Sequence, residues 1–275
     1  MNRLPYVIAG LVFAAAVAAL VYWRTRELPA APPVPVAEPA APAPEPVAEA
    51  PSAPAIRHPI EAAPAAAQAS GPLPLPADAD RAFGDVLGQR FGHRNIANFL
   101  QLDGFARRVV ATVDNLPRQH AAPRLWPMQP APGRFTPEAG AAGETIGAAN
   151  AERYQPVVAF VTAVDPAAAA AVYVRFHPLF QQAYQELGYP RGYFNDRLVE
   201  VIDHLLATPE RAGAPAVRRV EVKGPVAPTR PWLQYEFTDP ALASRSAGQK
   251  LLLRVSADQR RQLKAALRAF RAQIV

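Results

Sequence analysis

The chain has 275 residues, with 32 prolines, no cysteine and a formal net charge of +6 at pH 7. The absence of cysteine excludes thiolate catalysis, zinc–cysteine sites and disulfide bonds. Lys occurs only as Lys223, Lys250 and Lys264, so Arg supplies almost all of the positive charge. Together with abundant Ala and Pro, this bias indicates a genome rich in G and C, and the Arg content alone is therefore weak evidence for nucleic-acid binding.

The first predicted element is a membrane anchor over residues 1–27. Residues 6–23 are apolar and uncharged, which is the lower end of the length range for a membrane-spanning helix, about 17–25 residues. Tyr22 and Trp23 close the run, as aromatic residues do at membrane interfaces. The alternative is a cleaved signal peptide, but the apolar run is long for one and no A-x-A cleavage site follows at the expected distance.

The orientation of this anchor is not decided by charge, since Arg3 lies on one side and Arg24 and Arg26 lie on the other. In a signal anchor, a short segment usually precedes the apolar run and a long segment follows it, as in this chain. We therefore expect a single-pass inner-membrane protein whose C-terminal domain lies in the periplasm of a Gram-negative cell.

Residues 28–76 form the second predicted segment, an Ala/Pro-rich disordered linker that includes "EPAAPAPEPVAEAP". Pro at every third or fourth position prevents both helix and sheet hydrogen bonding. Such a chain is a semi-rigid spacer that spans up to about 3.1 Å per residue where it is extended. A docking site for a proline-recognition groove is the alternative, although no strict array of PxxP motifs supports it.

Residues 77–275 have the composition of a folded domain, and we predict one mainly α-helical globular domain with one small β-hairpin. A domain of about 200 residues buries about 70 % of its unfolded surface, so it folds without metal or disulfide bonds. Apolar residues recur at helical spacing in a series of segments: "ADADRAFGDVLGQRF", "IANFLQ", "DGFARRVVATVDNLP", "AERYQPVVAFVTAVD", "DPAAAAAVYVRFHPLFQQAYQELG" and "LKAALRAFRAQ".

Local signals define several boundaries of these helices. Asp165 is a predicted N-cap with Pro at the next position, and Pro178 is expected to kink or split the helix that follows. Ser256 begins a capping box in "SADQ". Residues 118–150 lack periodicity and are predicted to form a long loop. The segments "AVRRVEVKG" and "PWLQYEFTD" are the hairpin candidate.

Four segments resemble a known family when they are taken in order: "RVVATVDNLPR", "RYQPVVAF", "LFQQAYQELGYP" and "FNDRLVEVIDHLLATPE". The family is the bacterial domain-of-unknown-function family 3014, and the likeness covers roughly residue 75 to the end of the chain. The resemblance implies an envelope-associated bacterial protein with an N-terminal anchor. It implies no activity and transfers no catalytic residue, because the family has none assigned.

The strongest candidate site is the stretch "YFNDRLVEVIDHLLATPE". With Asn195 as N-cap, the predicted helix has one apolar face and places its charged residues opposite, namely Asp196, Glu200, Asp203 and His204. Three interpretations remain open. The face is solvated; or it forms a metal or acid–base site completed by Asp114; or Asp196 or Asp203 clamps an arginine such as Arg107, Arg108 or Arg118. We favour the third, structural interpretation.

Positive charge is concentrated at the C-terminal end. Residues 77–210 carry 12 basic and 14 acidic residues, whereas residues 211–275 carry 13 basic and 4 acidic residues. The last predicted helix has an apolar side and a basic side, the latter with the binding candidates Arg261, Lys264, Arg268 and Arg271. This side is either solvated or contacts an anionic partner: a lipid headgroup, an envelope polymer or an envelope protein. A periplasmic location argues against nucleic acid.

These observations favour a non-enzymatic, membrane-tethered domain that binds or scaffolds an envelope component, with no cofactor and no resident metal. The alternative is a hydrolase or metal-dependent enzyme that uses the Asp196, Glu200, Asp203 and His204 face. An enzyme needs these groups to line a concave pocket together with groups from a second element. The chain contains no Walker loop, no H-E-x-x-H and no G-x-S-x-G motif.

Overall fold

A computed structural model describes residues 55–69, 71–140, 143–220 and 235–275, which belong to a compact unit that begins at Pro51. The predicted anchor, residues 1–27, and the predicted linker up to residue 54 lie outside the described residues. Among the described helices, none alone is long and apolar enough to cross a membrane. Ala149–Ala163 and Pro166–Glu186 meet that criterion only as a pair, and this pair is bent by 79°.

The domain is mainly helical, as predicted. Nine α-helices occur in the described residues, and short 3-10 helices precede and connect some of them. In chain order the α-helices are α1 Ala79–Phe91, α2 His93–Phe99, α3 Phe105–Asn115, α4 Ala149–Ala163, α5 Pro166–Glu186, α6 Phe194–Leu206, α7 Pro240–Ala243, α8 Ala247–Arg254 and α9 Ala257–Arg271.

The helix boundaries follow the predicted signals at two places. The Asp165 carboxylate accepts a hydrogen bond from the Ala168 backbone N–H at 3.0 Å and caps α5. Ser256 and Gln259 form the predicted reciprocal capping box at the start of α9. Pro178 does not split α5, which runs from Pro166 to Glu186 with this proline inside it.

The main core surrounds α5, whose aromatic side chains lie on one buried face at helical spacing. Phe176 is fully buried, and its ring centroid lies 4.3 Å from that of Phe83 in α1. Phe180 contacts both Phe83 and Phe194 of α6. These contacts join α1, α5 and α6. Aromatic pairs at such separations stabilise a fold by more than the burial of their surface alone does.

Part of the predicted linker belongs to this core. Two 3-10 helices, Ile60–Ala62 and Pro64–Gln68, pack on the domain, and Ile60, Ala63 and Ala65 are buried. The Ala65 backbone N–H donates to the Gln273 carbonyl at 3.1 Å. The expectation of disorder is corrected for this stretch, because its small apolar residues are buried against α5, a contact that local composition does not reveal.

The predicted hairpin is present: β3, Val217–Arg219, pairs antiparallel with β4, Tyr235–Phe237. A second hairpin lies in the segment predicted as a loop, where β1, Pro137–Gly140, pairs with β2, Gly143–Ile146. The two hairpins meet at a bridge between Thr145 and Ala216. Their strands are only three or four residues long, too short for alternation to be evident.

Beneath the hairpins lies a small separate core of Ile146, Val217, Phe237, Leu242 and Leu253. The last of these comes from α8, which is also attached to the end of α3: the Gly248 backbone N–H donates to the Leu116 carbonyl at 2.9 Å. Gly is required at this approach, since a Cβ there would lie 2.5 Å from the Leu205 side chain. Helix α8 therefore bridges the helical core and the hairpins.

Candidate functional site

The N-terminus of α6 holds the N-terminal segment of the domain. The Asp196 carboxylate accepts hydrogen bonds from the backbone N–H groups of Arg57, at 3.0 and 3.2 Å, and His58, at 2.8 Å. The Ile60 N–H donates to the Tyr193 hydroxyl at 2.9 Å. Asp196 therefore has the structural role that we favoured from the sequence, but within the described ranges its partners are backbone N–H groups and not an arginine side chain.

Asn195 was predicted to be the N-cap of α6, but Tyr193 occupies that position. Asn195 is fully buried, and its amide nitrogen donates to the carbonyls of His58 and Ile274, both at 2.9 Å. Its carbonyl oxygen accepts from the Tyr173 hydroxyl at 3.1 Å. The residue was mistaken for a cap because Asn favours caps locally, whereas here it joins both ends of the folded domain.

Asp114 is the most buried of the candidate acids, with 2 % of its surface exposed. Its Oδ2 accepts from Arg118 Nη2 at 2.6 Å and from the Tyr189 hydroxyl at 3.3 Å. Its Oδ1 accepts from Arg197 Nη2 at 3.2 Å. In this cluster α6 supplies an arginine and α3 supplies the acid, whereas the arrangement expected from the sequence, an α6 acid that holds an arginine, occurs at Asp203 with Arg271. Of the three suggested arginines, only Arg118 takes part.

Arg197 connects this buried cluster to the exposed Glu200, whose Oε1 accepts from Arg197 Nη1 at 3.0 Å. Burial acts to lower the pKa of Arg197, but the attraction of Glu200 and Asp114 outweighs it and the pKa is raised. The guanidinium therefore stays charged and serves as a fixed cation between two carboxylates. This arrangement positions α3 against α6.

Asp203 and His204 also have partners inside the domain. Asp203 accepts two hydrogen bonds from Arg271 of α9, at 2.6 and 2.9 Å. Half of the Asp203 side chain is exposed, so this bidentate pair contributes at most about 1 kcal/mol. His204 Nε2 lies 2.8 Å from the Ser246 hydroxyl, which caps α8. Both residues thus help to attach neighbouring helices to α6.

The candidate residues do not converge on a metal ion. Within the described ranges, no group of three or more His, Asp and Glu side chains has the arrangement of a metal site. The predicted helix places Glu200, Asp203 and His204 on one face, but Glu200 pairs with Arg197 of the same helix, whereas Asp203 contacts α9 and His204 contacts the cap of α8. The contacts of Asp203 and His204 therefore join α6 to α9 and to α8.

Two of the basic residues of α9 are buried, which the sequence did not indicate. Lys264 is 4 % exposed, and its Nζ donates to the Thr208 carbonyl at 2.8 Å and to Glu210 Oε1 at 2.7 Å. Arg260, 3 % exposed, donates to the Arg211 carbonyl at 2.9 Å and lies 3.4 Å from Glu210. The hydrogen bond from Lys264 lowers the pKa of Glu210, which is consistent with a charged pair.

The other candidates on α9 differ in their accessibility. Arg261 pairs with Asp258 one turn earlier, and Arg271 is held by Asp203. Arg268 is exposed. The four residues therefore do not form one uniform basic surface, because only Arg261 and Arg268 are both charged and open to solvent.

In the described part of the chain, an open cleft lies away from all of these residues, between α8, the β3–β4 hairpin and the segment that follows α3. It has a volume of about 550 Å³ and includes Lys250 and Arg254 of α8 in its wall. Neither residue was a candidate from the sequence. The available signal was weak: two cations one turn apart on a short helix, in a region already rich in positive charge.

The comparisons with known proteins give a family and no activity. No curated protein and no solved structure matches the chain. The family model described as "Protein of unknown function (DUF3014)" matches residues 105–271, from the first residue of α3 to the last of α9. This match covers more than half of the chain and includes the Asp114 cluster, α6 and the cleft beside α8. The chain therefore belongs to the DUF3014 family.

Proposed function

We propose that this protein is a non-enzymatic binding or scaffolding module of the bacterial envelope, held at the inner membrane by residues 6–23 with its folded domain in the periplasm. The observation that carries the non-enzymatic part is that the charged side chains of α6 serve the packing of the domain. Asp196 holds the N-terminal segment, Asp203 holds α9 and His204 contacts the cap of α8.

The position of the open clefts supports the same conclusion. A hydrolase needs its acid, base and substrate to meet in one concave site. The main clefts found in the described part of the chain are lined by other residues, and none of them includes Asp114, Asp196, Glu200, Asp203 or His204. No specific observation therefore favours the hydrolase alternative.

The tether gives such a module a purpose. A domain confined to the membrane meets an envelope partner at a much higher local concentration than a free domain does. Residues 28–54 provide the reach, and the hydrogen bonds of Asp196 and Tyr193 fix the chain where it enters the domain. The partner class we propose is an anionic lipid, an envelope polymer or an envelope protein.

The location is tested by fractionation and by a reporter fused after Val275 that is active only in the periplasm. The wild-type fusion is expected in the membrane fraction with an active reporter. A matched Ala15→Arg variant places a charge at the centre of the apolar run and is expected to lose membrane insertion, since Arg at that depth costs about 2.5 kcal/mol or more. Activity of a cytoplasmic reporter alone would overturn the orientation.

The binding function is tested by crosslinking in living cells followed by purification of the anchored protein. We expect a discrete crosslinked partner from the envelope for the wild-type chain, and its loss when the folded domain is removed while the anchor and residues 28–54 are kept. If the shortened chain still crosslinks to the partner, the anchor or residues 28–54 bind it, and the binding function proposed for the folded domain is wrong. Hydrolytic turnover of envelope material by the purified protein, abolished by His204→Ala, would favour the enzyme.

A further inference from the structure

The cleft beside α8 has mainly apolar walls. Trp126 comes from the segment after α3, Val220 and Phe237 come from the β3–β4 hairpin, and Leu251 comes from α8 itself. Val220 and Leu251 are exposed large apolar residues, each 37 % accessible. A volume of about 550 Å³ lies within the range of small-molecule sites, roughly 300–1,000 Å³. The cleft therefore has the size and apolar character of a site for a small organic molecule.

Two cations lie in this apolar wall without a carboxylate partner in the described part of the chain. Arg254 donates to the Tyr235 carbonyl at 2.9 Å, and Lys250 Nζ is 3.5 Å from the Ala243 carbonyl, a long contact. Glu236 also lines the cleft, but its carboxylate is paired with Arg218 at 2.7 Å. The positive charge of the cleft is therefore not balanced by these neighbours.

This arrangement has an electrostatic cost. Like charges at positions i and i+4 of a helix repel each other. Burial lowers the pKa of Lys250, and the charge of Arg254 lowers it further. Burial likewise lowers the pKa of Arg254. An anion between the two cations would remove the repulsion and would form charge-assisted hydrogen bonds in a partly desolvated site, where these bonds are strong.

We infer that this cleft binds a small amphipathic anion, whose carboxylate or similar acid group contacts Lys250 and Arg254 and whose apolar body lies against Trp126 and Leu251. The inference deepens the proposed function by naming a ligand class, and it rests on the binding part of that proposal but not on the tether. Both features are required: charge without an apolar body would leave the walls exposed, and an apolar body without charge would leave the cations unbalanced.

The experiment uses the full chain in detergent and observes ligands by ¹⁹F NMR line broadening. The probe is 4-(trifluoromethyl)benzoate, the neutral match is 4-(trifluoromethyl)benzyl alcohol, and micelles without protein give the blank for each. We expect the benzoate to bind at least about tenfold more tightly than the alcohol, as one charge-assisted contact predicts. Inorganic phosphate should displace the benzoate poorly, because it lacks the apolar body.

Variants place the binding in the cleft. Lys250→Gln should weaken benzoate binding about tenfold or more, whereas Arg94→Gln, which removes one exposed charge of α2 outside the cleft, should leave it unchanged. Leu251→Glu adds a negative charge at an exposed position and should also abolish binding, so a folding defect in one variant does not decide the result. Arg254→Lys keeps the charge and should retain most of the affinity.

The outcomes separate this inference from the proposed function. Three results would each overturn the cleft assignment. The first is equal affinity for the benzoate and the alcohol, and the second is that Lys250→Gln and Leu251→Glu both bind the benzoate as tightly as the wild type does. The third is no benzoate binding at millimolar concentration. None of these results alters the crosslinking experiment. Conversely, a failure of crosslinking leaves a benzoate site in the cleft intact, because the probe needs no partner.

Discussion

Replacement of Asp114 is the sharpest test of the cluster that joins α3 and α6. Its side chain is 3 % exposed, and it is the common acceptor for Arg118, Arg197 and the Tyr189 hydroxyl. Asp114→Ala would leave Arg197, whose side chain is 21 % exposed, with the exposed Glu200 as its one remaining charged partner among the described residues. The variant therefore tests whether a buried acid organises this interface.

The expected loss of stability follows from the exposure of the two arginines. The Arg118 side chain is 56 % exposed, so losing its pair contributes at most about 1 kcal/mol. Arg197 is mostly buried, and breaking a buried pair costs about 3–5 kcal/mol, which we reduce because Glu200 remains. The free energy of unfolding should fall by about 2–4 kcal/mol. For a domain of this size, that lowers the melting temperature by about 4–16 °C.

The measurement is equilibrium unfolding in urea with thermal melts at neutral pH. Glu200→Ala is the matched control, because it removes an acid that contacts the same arginine but is 55 % exposed, and it should change stability by about 0.5 kcal/mol or less. Asp114→Asn keeps the shape and should fall between the two. A loss of less than about 1 kcal/mol for Asp114→Ala, or equal losses for Asp114→Ala and Glu200→Ala, would refute the argument.

Three further predictions concern the other internal contacts. Asp196→Ala should destabilise the domain by about 1–3 kcal/mol and speed hydrogen exchange at the Arg57 amide, since it removes the acceptor of the N-terminal segment. Burial lowers the pKa of His177 from 6.5 to about 4, although the charge of Glu61 opposes this shift. As the pH falls, the unfolded state is therefore protonated at His177 before the folded state is. Stability should therefore fall from pH 6.5 to pH 4, by up to about 3 kcal/mol, and His177→Phe should flatten that part of the profile in urea titrations. Lys264→Gln should cost about 2–3 kcal/mol in thermal and urea unfolding, and Arg268→Gln about 0.5 kcal/mol or less.

Each of these has an outcome that would contradict it. Unchanged exchange at Arg57 in Asp196→Ala would mean that the N-terminal segment is held mainly by burial of Ile60. A pH profile of His177→Phe parallel to that of the wild type would assign the acid sensitivity to carboxylates. Equal melts for Lys264→Gln and Arg268→Gln would show that the buried ammonium contributes nothing, contrary to its two short hydrogen bonds.

The helical part of the fold was predictable because its signals are local. The Asp165 cap, the Ser256 capping box and the aromatic spacing of α5 each depend on residues within a few positions of one another. The β1–β2 hairpin and the 3-10 helices at residues 60–68 were missed for the opposite reason. Both are stabilised by contacts with distant elements, and their short segments carry no period of their own.

The candidate site was predicted only in part. The sequence correctly placed Asp196, Glu200, Asp203 and His204 on the polar side of one helix, but helical periodicity gives a direction and not a partner. It also assigned Lys264 to an exposed basic face. That assignment was wrong because Glu210 and the Thr208 carbonyl, both after the end of α6, lie opposite the middle of α9 and accept its hydrogen bonds.

The charged residues of the folded domain include some that join its helices and others that lie in the cleft beside α8. Asp114, Asp203 and Glu210 each accept from an arginine or lysine of a different element, so these charges are used in joining helices. A charge already satisfied inside the domain has little free energy left for a ligand, since a new contact must first replace the old one. Lys250 and Arg254 are the contrasting case, because they lie one turn apart in an apolar cleft and their described neighbours do not balance them. A ligand there forms new contacts without breaking an internal ion pair, and for this physical reason we expect binding at α8 and not at the more conspicuous α6.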